Sequence, residues 1–206
     1  MQRASLDSLN ESEFHKDPLE QFRLWLEAAQ STSDHLPNAM VLATATPDGR
    51  PSARVVLLKA VDEQGFVFFT NFESRKACEL RANPRAALVF YWSRLDRQVR
   101  IEGVVNIVMP AESDAYFESR PFGSQISAWA SPQSEVIADR QILEARVRET
   151  KMRFPRGKVP RPPNWGGYRL TPDSIEFWLH RDDRLHDRLR YLRATEGGWL
   201  LERLAP

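Results

Sequence analysis

The stretch from residue 98 to 108 restricts the fold more than any other part of the chain. Val99, Ile101, Val105 and Ile107 fall on one side of a period of two, and Gln98, Arg100 and Glu102 fall on the other. An alternation of this length does not fit a helix. It describes a strand with one face on a core and the other on water or a polar site, and such a strand needs partners on both edges.

Candidate partners are plentiful. Residues 39–46 and 51–59 flank Pro47-Asp48-Gly49, a hairpin turn signal. Short apolar runs at 66–71 and 86–92 read as two more strands, and 167–170, 175–179 and 189–192 as a further three. A last one at 199–204 follows the Gly197-Gly198 turn. Helices are fewer. One should start at Asp17, with Pro18 in the first helical position and Glu20 three residues after the cap, placing Phe22, Trp25, Leu26 and Ala29 on one face. Others are expected at 74–82, capped by Ser74 and stopped by Asn83-Pro84, at 111–119 and at 135–153, before a connector rich in proline. The fold class is therefore mainly β with peripheral helices (α+β), as a barrel or a sandwich. Helices do not alternate regularly with strands and no Gly-rich nucleotide fingerprint is present, which argues against a Rossmann sheet. Residues 1–16 are polar and patternless and read as a mobile arm, leaving 17–206 as one domain.

Bulk charge excludes some partners. The formal net charge is +1, so neither nucleic acid nor an anionic membrane is expected, and any basic site must be local. No apolar stretch approaches the ~20 residues that cross a bilayer, and no signal peptide is visible. The single cysteine, Cys78, allows no intrachain disulfide, which fits a reducing, cytoplasmic setting. No metal site is expected.

Four local groupings carry chemistry. In Ser74-Arg75-Lys76 two cations occupy the first turn of a helix, where the dipole disfavours them unless an anion binds there; two solvated surface cations are the other reading. Arg54-Val55-Val56-Leu57-Leu58-Lys59 places a cation at each end of four apolar residues, which implies a strand buried on both faces with partnered or snorkelling ends. Tyr116 and Arg120 are four apart, on one helix face, and Ser124 follows across Pro121; they form a second anion site or a plain helix end. Arg184, His186 and Arg188 alternate after Trp178, so an extended strand would project them into one space, unless Asp182, Asp183 and Asp187 neutralise them locally. Gln98, Gln133 and Ser134 are polar groups suited to a heterocycle edge.

Together these residues resemble the pyridoxamine 5′-phosphate oxidase family. The resemblance runs from Asp17 to the C-terminus through Arg54 to Lys59, Phe69-Thr70-Asn71, Ser74-Arg75-Lys76, Arg97-Gln98-Val99, Ser119-Arg120-Pro121, Ser124-Gln125-Ile126, Gln133-Ser134, Trp165-Gly166-Gly167, Glu176-Phe177-Trp178, Arg184 to Arg188 and Arg203-Leu204-Ala205-Pro206. It implies an FMN-binding split β-barrel and a homodimer with two FMN sites at its interface. It further implies that Arg54, Val55, Val56, Leu57, Leu58, Lys59, Phe69, Thr70, Arg75 and Lys76 hold FMN, with Gln98, Gln133, Ser134, Trp178 and Arg188 completing the site. Lys59, Tyr116, Arg120 and Ser124 would grip the phosphate of pyridoxine or pyridoxamine 5′-phosphate, and Arg184 and His186 would orient its ring as catalytic residues. The product would be pyridoxal 5′-phosphate, with dioxygen reduced to hydrogen peroxide. Several family members carry a Tyr on a longer basic arm; residues 1–16 here hold Arg3 and Lys16 but no Tyr, leaving Phe14 and His15 as substitutes. The competing expectations are a flavin oxidase of an unphosphorylated ring such as a phenazine precursor, a non-catalytic pyridoxal 5′-phosphate binder, and a structural dimer with empty sites.

Overall fold

Asp17 starts the first helix as expected: its side chain accepts from the Leu19 N–H, Pro18 takes the first position, and α1 runs Pro18–Gln30. Phe22, Trp25 and Ala29 are buried, and the Phe22 ring sits 4.9 Å from both Phe66 and Phe90. The computed structural model describes residues 8–32, 35–155 and 157–206. Among them are nine strands in one antiparallel sheet: β1 (Ala39–Ala45), β2 (Pro51–Leu57), β3 (Ala60–Asp62), β4 (Gly65–Asn71), β5 (Arg85–Trp92), β6 (Arg97–Ile107), β7 (Trp165–Leu179), β8 (Asp187–Arg193) and β9 (Trp199–Arg203). The helices lie outside it: α2 (Arg75–Ala82), α3 (Pro110–Ser119), α4 (Phe122–Ala130) and α5 (Arg140–Arg153).

The sheet order is β2-β1-β5-β6-β7-β4-β3, with β8 and β9 continuing from β7. Residues 167–170 and 175–179 are thus not two strands but one strand of 15 residues. One edge of β7 pairs with β6 along most of its length; the other pairs first with β4, through Leu170, and then with β8, from Ser174. The switch falls at Pro172, which has no N–H to give to a ladder. The sheet divides there, and its inner faces share one core containing Leu42, Phe68, Leu88, Phe90, Ile101, Phe177 and Leu189. A smaller cluster of Phe117, Ile126, Val159 and Trp165 sits beneath the peripheral helices.

Several expectations change. The alternation in β6 holds for Val99, Ile101 and Val105, but Ile107 is 64% exposed, because the strand ends there and Val108 takes the inward place. The run Val55 to Leu58 is not buried on both faces: β2 is the outer strand of its end of the sheet, and Val55 is 66% exposed. Helix α4 was not among the expected helices; it begins directly after Pro121. The helix expected at 135–153 begins only at Arg140, capped by Asp139.

The arm also differs from its expectation. Residues 8–16 are tied down: Tyr191 Oη donates to the His15 carbonyl at 2.6 Å, and Arg203 binds both Glu11 oxygens at 2.7 and 2.8 Å and the Leu9 carbonyl. Phe14 packs against Trp25, Phe177 and Tyr191, so it belongs to the core. Apart from Trp25, these partners lie more than a hundred residues away, where no local pattern shows them. Arg3 and the rest of 1–7 lie outside the described residues. No described helix is long and apolar enough to cross a membrane.

Gly103 sits where β6 and β7 lose register, paired with Pro172, and a Cβ there would lie 2.1 Å from the Thr171 carbonyl oxygen. That neighbour is backbone and cannot turn aside. Gly103→Ala is expected to destabilise the fold by on the order of 3 kcal/mol, measured as a shift in denaturant midpoint.

Candidate active site

A cleft of about 680 Å³ opens between β2, β4 and the α3–α4 segment. Its wall includes Arg54, Val55, Val56, Leu57, Lys59, Phe69, Thr70, Lys76, Tyr116, Arg120, Ser124 and Gln133. Three of the four groupings singled out in the sequence therefore meet in one space, although Lys59, Lys76 and Gln133 are far apart along the chain.

One end is built on the start of α2. Lys76 is 7% exposed, and its ammonium reaches only neutral acceptors: Thr70 Oγ1 at 3.1 Å, Ser74 Oγ at 3.2 Å and Gln133 Oε1 at 3.4 Å. Burial, and then the charge of Arg54, pulls its pKa below that of an ordinary lysine, with Glu79 opposing. The reading of two solvated cations therefore fails for Lys76 and holds for Arg75, whose side chain is exposed and whose Nε bonds Glu79 at 2.8 Å. Ser74 is not the cap it was expected to be. Its hydroxyl donates to the Asn71 carbonyl, and the Arg75 N–H donates instead to Ser134 Oγ at 3.2 Å. The cap of α2 comes from 59 residues along the chain, held by a Ser134 backbone with φ of 76°.

Glu79 was missed by the sequence reading. It is 5% exposed and accepts from Thr44 Oγ1, Ser52 Oγ and Arg54 on one oxygen and from Arg75 on the other. Its spacing of four from Arg75 was the only local signal. Burial pushes its pKa up, but hydrogen bonds from Ser52, Thr44 and Arg75 overcome this and lower it from 4.5 to about 2.

The other end is aromatic. Tyr116 stacks on Phe69 with ring centres 4.0 Å apart, and Phe69 stacks on Trp165 at 5.5 Å. Lys59 Nζ lies 5.7 Å from the Tyr116 ring centre and the Arg120 guanidinium 4.6 Å from that of Trp165. Arg120 is not on the helix with Tyr116; α3 ends at Ser119 and Arg120 is its extended cap. Its Nη1 is buried with no hydrogen-bond partner, and burial lowers its pKa. Ser124 stands in the first turn of α4, whose N-terminus adds a favourable field for an anion. Ser119, Ser127, Ala128, Ser131 and Trp165 also line the cleft and were assigned no role from sequence.

Other expected residues lie elsewhere. Leu58 is turned into the core, and Arg75 and Ser134 stand outside the cleft wall. Gln98, Trp178 and Arg188 form one row across β6, β7 and β8, away from that wall. Arg184, His186 and Arg188 do not share a strand: Arg184 ends a 3-10 turn, Asp182–Arg184, with φ of 61°, and only Arg188 is in β8. His186 packs 4.7 Å from the Trp178 ring and accepts from the Arg181 N–H through Nδ1. Arg188 is neutralised by Glu176 at 2.8 Å, while Asp187 serves Arg203 and Arg181.

Residues 27–154 match the family described as pyridoxamine 5′-phosphate oxidase, and residues 165–206 match the pyridoxine 5′-phosphate oxidase C-terminal dimerisation region. A pyridoxine/pyridoxamine 5′-phosphate oxidase of Paraburkholderia phymatum is 57% identical over 98% of this chain and 95% of that one. One from Rubrobacter xylanophilus is 59% identical over 92% and 87%. Among solved structures, PhzG of Burkholderia lata, in complex with tetrahydrophenazine-1-carboxylic acid, superposes with a TM-score of 0.91 at 35% identity, covering 98% of this chain and 100% of that one. A pyridoxamine 5′-phosphate oxidase-related, FMN-binding protein of Nostoc punctiforme shares the fold, with a TM-score of 0.71 at 20% identity over 97% and 100%. The divided sheet is thus the split barrel expected from the sequence.

Two outcomes are expected. Lys76→Met removes a buried cation that has no anionic partner among the described residues, so the ligand-free protein should gain about 1 kcal/mol in denaturant melts. Glu79 has a folded pKa of about 2, below its usual 4.5, so its stabilisation is full above 4.5 and is lost as pH falls through 2. Between about pH 5 and pH 2, Glu79→Gln should therefore lose less stability than the parent chain.

Proposed function

The chain belongs to the pyridoxamine 5′-phosphate oxidase family, and on that premise we propose that it oxidises pyridoxine or pyridoxamine 5′-phosphate to pyridoxal 5′-phosphate. Dioxygen is reduced to hydrogen peroxide overall, and the amine substrate also consumes water and releases ammonia. One observation carries the reading: two sets of cations face a single cleft, and each contains a cation without a carboxylate partner among the described residues, the buried Lys76 at one end and Arg120, whose Nη1 is buried and unbonded, at the other.

Two phosphate esters fit that demand. The set at the start of α2 suits FMN: Lys76 and Arg54 meet its phosphate, Arg75 closes the rim, and Thr70 and Gln133 supply neutral partners. Lys76 has its donors directed into a pocket of neutral oxygens, which leaves its positive charge for a ligand. Bound FMN supplies the acceptor for the hydride lost by the substrate carbon. The protein's own work is binding and orientation. Lys59, Tyr116, Arg120 and Ser124 hold the substrate phosphate, with Arg120 fixed against Trp165, so that the ring is delivered at a set distance. The aromatic stack of Tyr116, Phe69 and Trp165 excludes water from one wall.

A homodimer completes the site in this reading. Val41, Val55 and Val89 are cross-strand neighbours on one face of β2-β1-β5, where Val41, Val55 and Tyr91 are exposed. Covering that face with a second copy removes apolar surface from water. It also makes the row of Gln98, Trp178 and Arg188, with Arg184 and His186 beside it, available to the cleft of the other copy. The match of 165–206 to a dimerisation region supports this arrangement.

A second oxidase reading takes its support from the likeness to PhzG, whose complex holds a carboxylated ring without phosphate. With FMN on the first cation set, the carboxylate of such a ligand would take the second, where a phosphate dianion gains more from Lys59 and Arg120 than a single negative charge does. Oxygen uptake with pyridoxine 5′-phosphate, pyridoxamine 5′-phosphate and a reduced phenazine carboxylate decides between them; uptake with the phenazine alone would reject the phosphate reading. A non-catalytic binder would bind pyridoxal 5′-phosphate without consuming oxygen. Arg120→Ala should raise KM for the phosphorylated substrate by about 10- to 150-fold, the equivalent of about 1.5–3 kcal/mol for a charged hydrogen bond. Arg75→Ala should weaken FMN more than substrate; the reverse ranking would mean that the two anion sites are exchanged.

A further inference from the structure

Glu79 poses an electrostatic problem. It is a buried, ionised carboxylate next to a site that this reading gives to a phosphate, and a negative charge there repels the ligand. Any help it gives to binding must come through geometry. That geometry is specific. Oε2 accepts from Thr44 Oγ1 at 2.5 Å, Ser52 Oγ at 2.6 Å and Arg54 Nη2 at 3.3 Å, and Oε1 accepts from Arg75 Nε at 2.8 Å. The donors belong to β1, β2 and α2, so one carboxylate joins the edge hairpin to the helix that carries Lys76.

Arg54 is held from both sides of its fork. Nη1 donates to the Leu42 carbonyl at 3.1 Å and to Thr44 Oγ1 at 2.7 Å, while Nη2 donates to Ser52 Oγ at 2.5 Å and to Glu79. Thr44 and Ser52 are direct cross-strand partners, as are Leu42 and Arg54, so the hairpin register places all four on the face that meets α2. Arg75 has no comparable support: its side chain is 65% exposed and is paired with Glu79. Left to itself, a long exposed arginine loses rotamer freedom on meeting a ligand, and that loss weakens binding.

We propose that Glu79 is a positioning residue for the cofactor phosphate, holding the guanidinium groups of Arg54 and Arg75 in one arrangement before the phosphate arrives. The proposal rests on the reading of this end of the cleft as the FMN phosphate site. Glu79 touches neither cofactor nor substrate in it, and acts through the two arginines and through the fixed distance between β2 and α2. Glu79→Gln keeps the shape but cannot accept from both arginines as a carboxylate does.

The test uses the full chain stripped of flavin, titrated with FMN and with riboflavin, which has the same ring system and no phosphate, and followed by quenching of flavin fluorescence. Glu79→Gln should weaken FMN by about tenfold or more, mainly through faster release, and leave riboflavin within about twofold. Thr44→Val removes one neutral donor, keeps every charge and guards against a Glu79 variant that does not fold; it should weaken FMN by about threefold with riboflavin unchanged. Unchanged or tighter FMN binding by a folded Glu79→Gln chain, or unchanged FMN binding by Thr44→Val, would overturn the proposal. So would an equal loss for FMN and riboflavin, which marks general damage to the fold. A parent chain that binds riboflavin as tightly as FMN would instead remove the cofactor reading, and the proposal with it.

Discussion

Strand β7 has to satisfy two sets of hydrogen bonds along one edge, and the molecule is arranged around that demand. Its other edge is occupied by β6, so β4 and β8 share the remaining one, meeting at Pro172. The missing proline N–H makes this the place where a ladder can end without an orphaned donor. Gly103 on β6 and the lost register beside it let the backbones approach there. Because β4 is led away from β8, the β4 end carries Phe69, Thr70 and Asn71 to the cleft wall, while the β8 end carries Arg188 and its neighbours elsewhere. The division of the sheet and the division of the candidate site residues into two groups have the same cause.

Charge explains the cleft in the same way that hydrogen bonding explains the sheet. Arg54, Lys76, Lys59 and Arg120 would repel one another in an apolar wall, and each is managed differently. Arg54 is neutralised by Glu79, Arg120 is spread over the Trp165 face, Lys59 stays in contact with solvent beside Tyr116, and Lys76 has only neutral oxygens. A site in which every cation had its own carboxylate would bind anions poorly. The present one withholds carboxylates from Lys76, which is buried, and from Arg120. The cost in stability is borne by the fold, since desolvated charge without a partner is unfavourable.

Much of the site was visible in the residues and little of its geometry was. Arg54, Lys59, Lys76, Tyr116, Arg120, Ser124 and Gln133 were named from the chain and line the cleft: cations in odd places, such as the first turn of a helix, drew attention locally, and the family resemblance tied the groupings together. Glu79 escaped because a glutamate on a polar helix is ordinary until its burial is known. Ser134 as the cap of α2, and the anchoring of Leu9, Glu11 and His15 by β8 and β9, escaped because both ends of each contact look unremarkable alone. The strand reading of Arg184, His186 and Arg188 failed because Asp183 and Arg184 adopt positive φ, which breaks the alternation before β8 begins.

The sequence by itself determined the class of fold, the start of α1, the run of strands and the presence of surplus cations, since each depends on neighbours a few residues apart. Periodicity, caps and turns are short-range properties and can be read in order. Tertiary structure alone decided which strands pair with β7, that β2 lies at an edge, that Lys76 is buried while Arg75 is not, and that Glu79 holds two arginines together. Those outcomes depend on burial and on partners distant in the chain, and the free energy of a buried charge or an unpaired donor is set by what surrounds it in space.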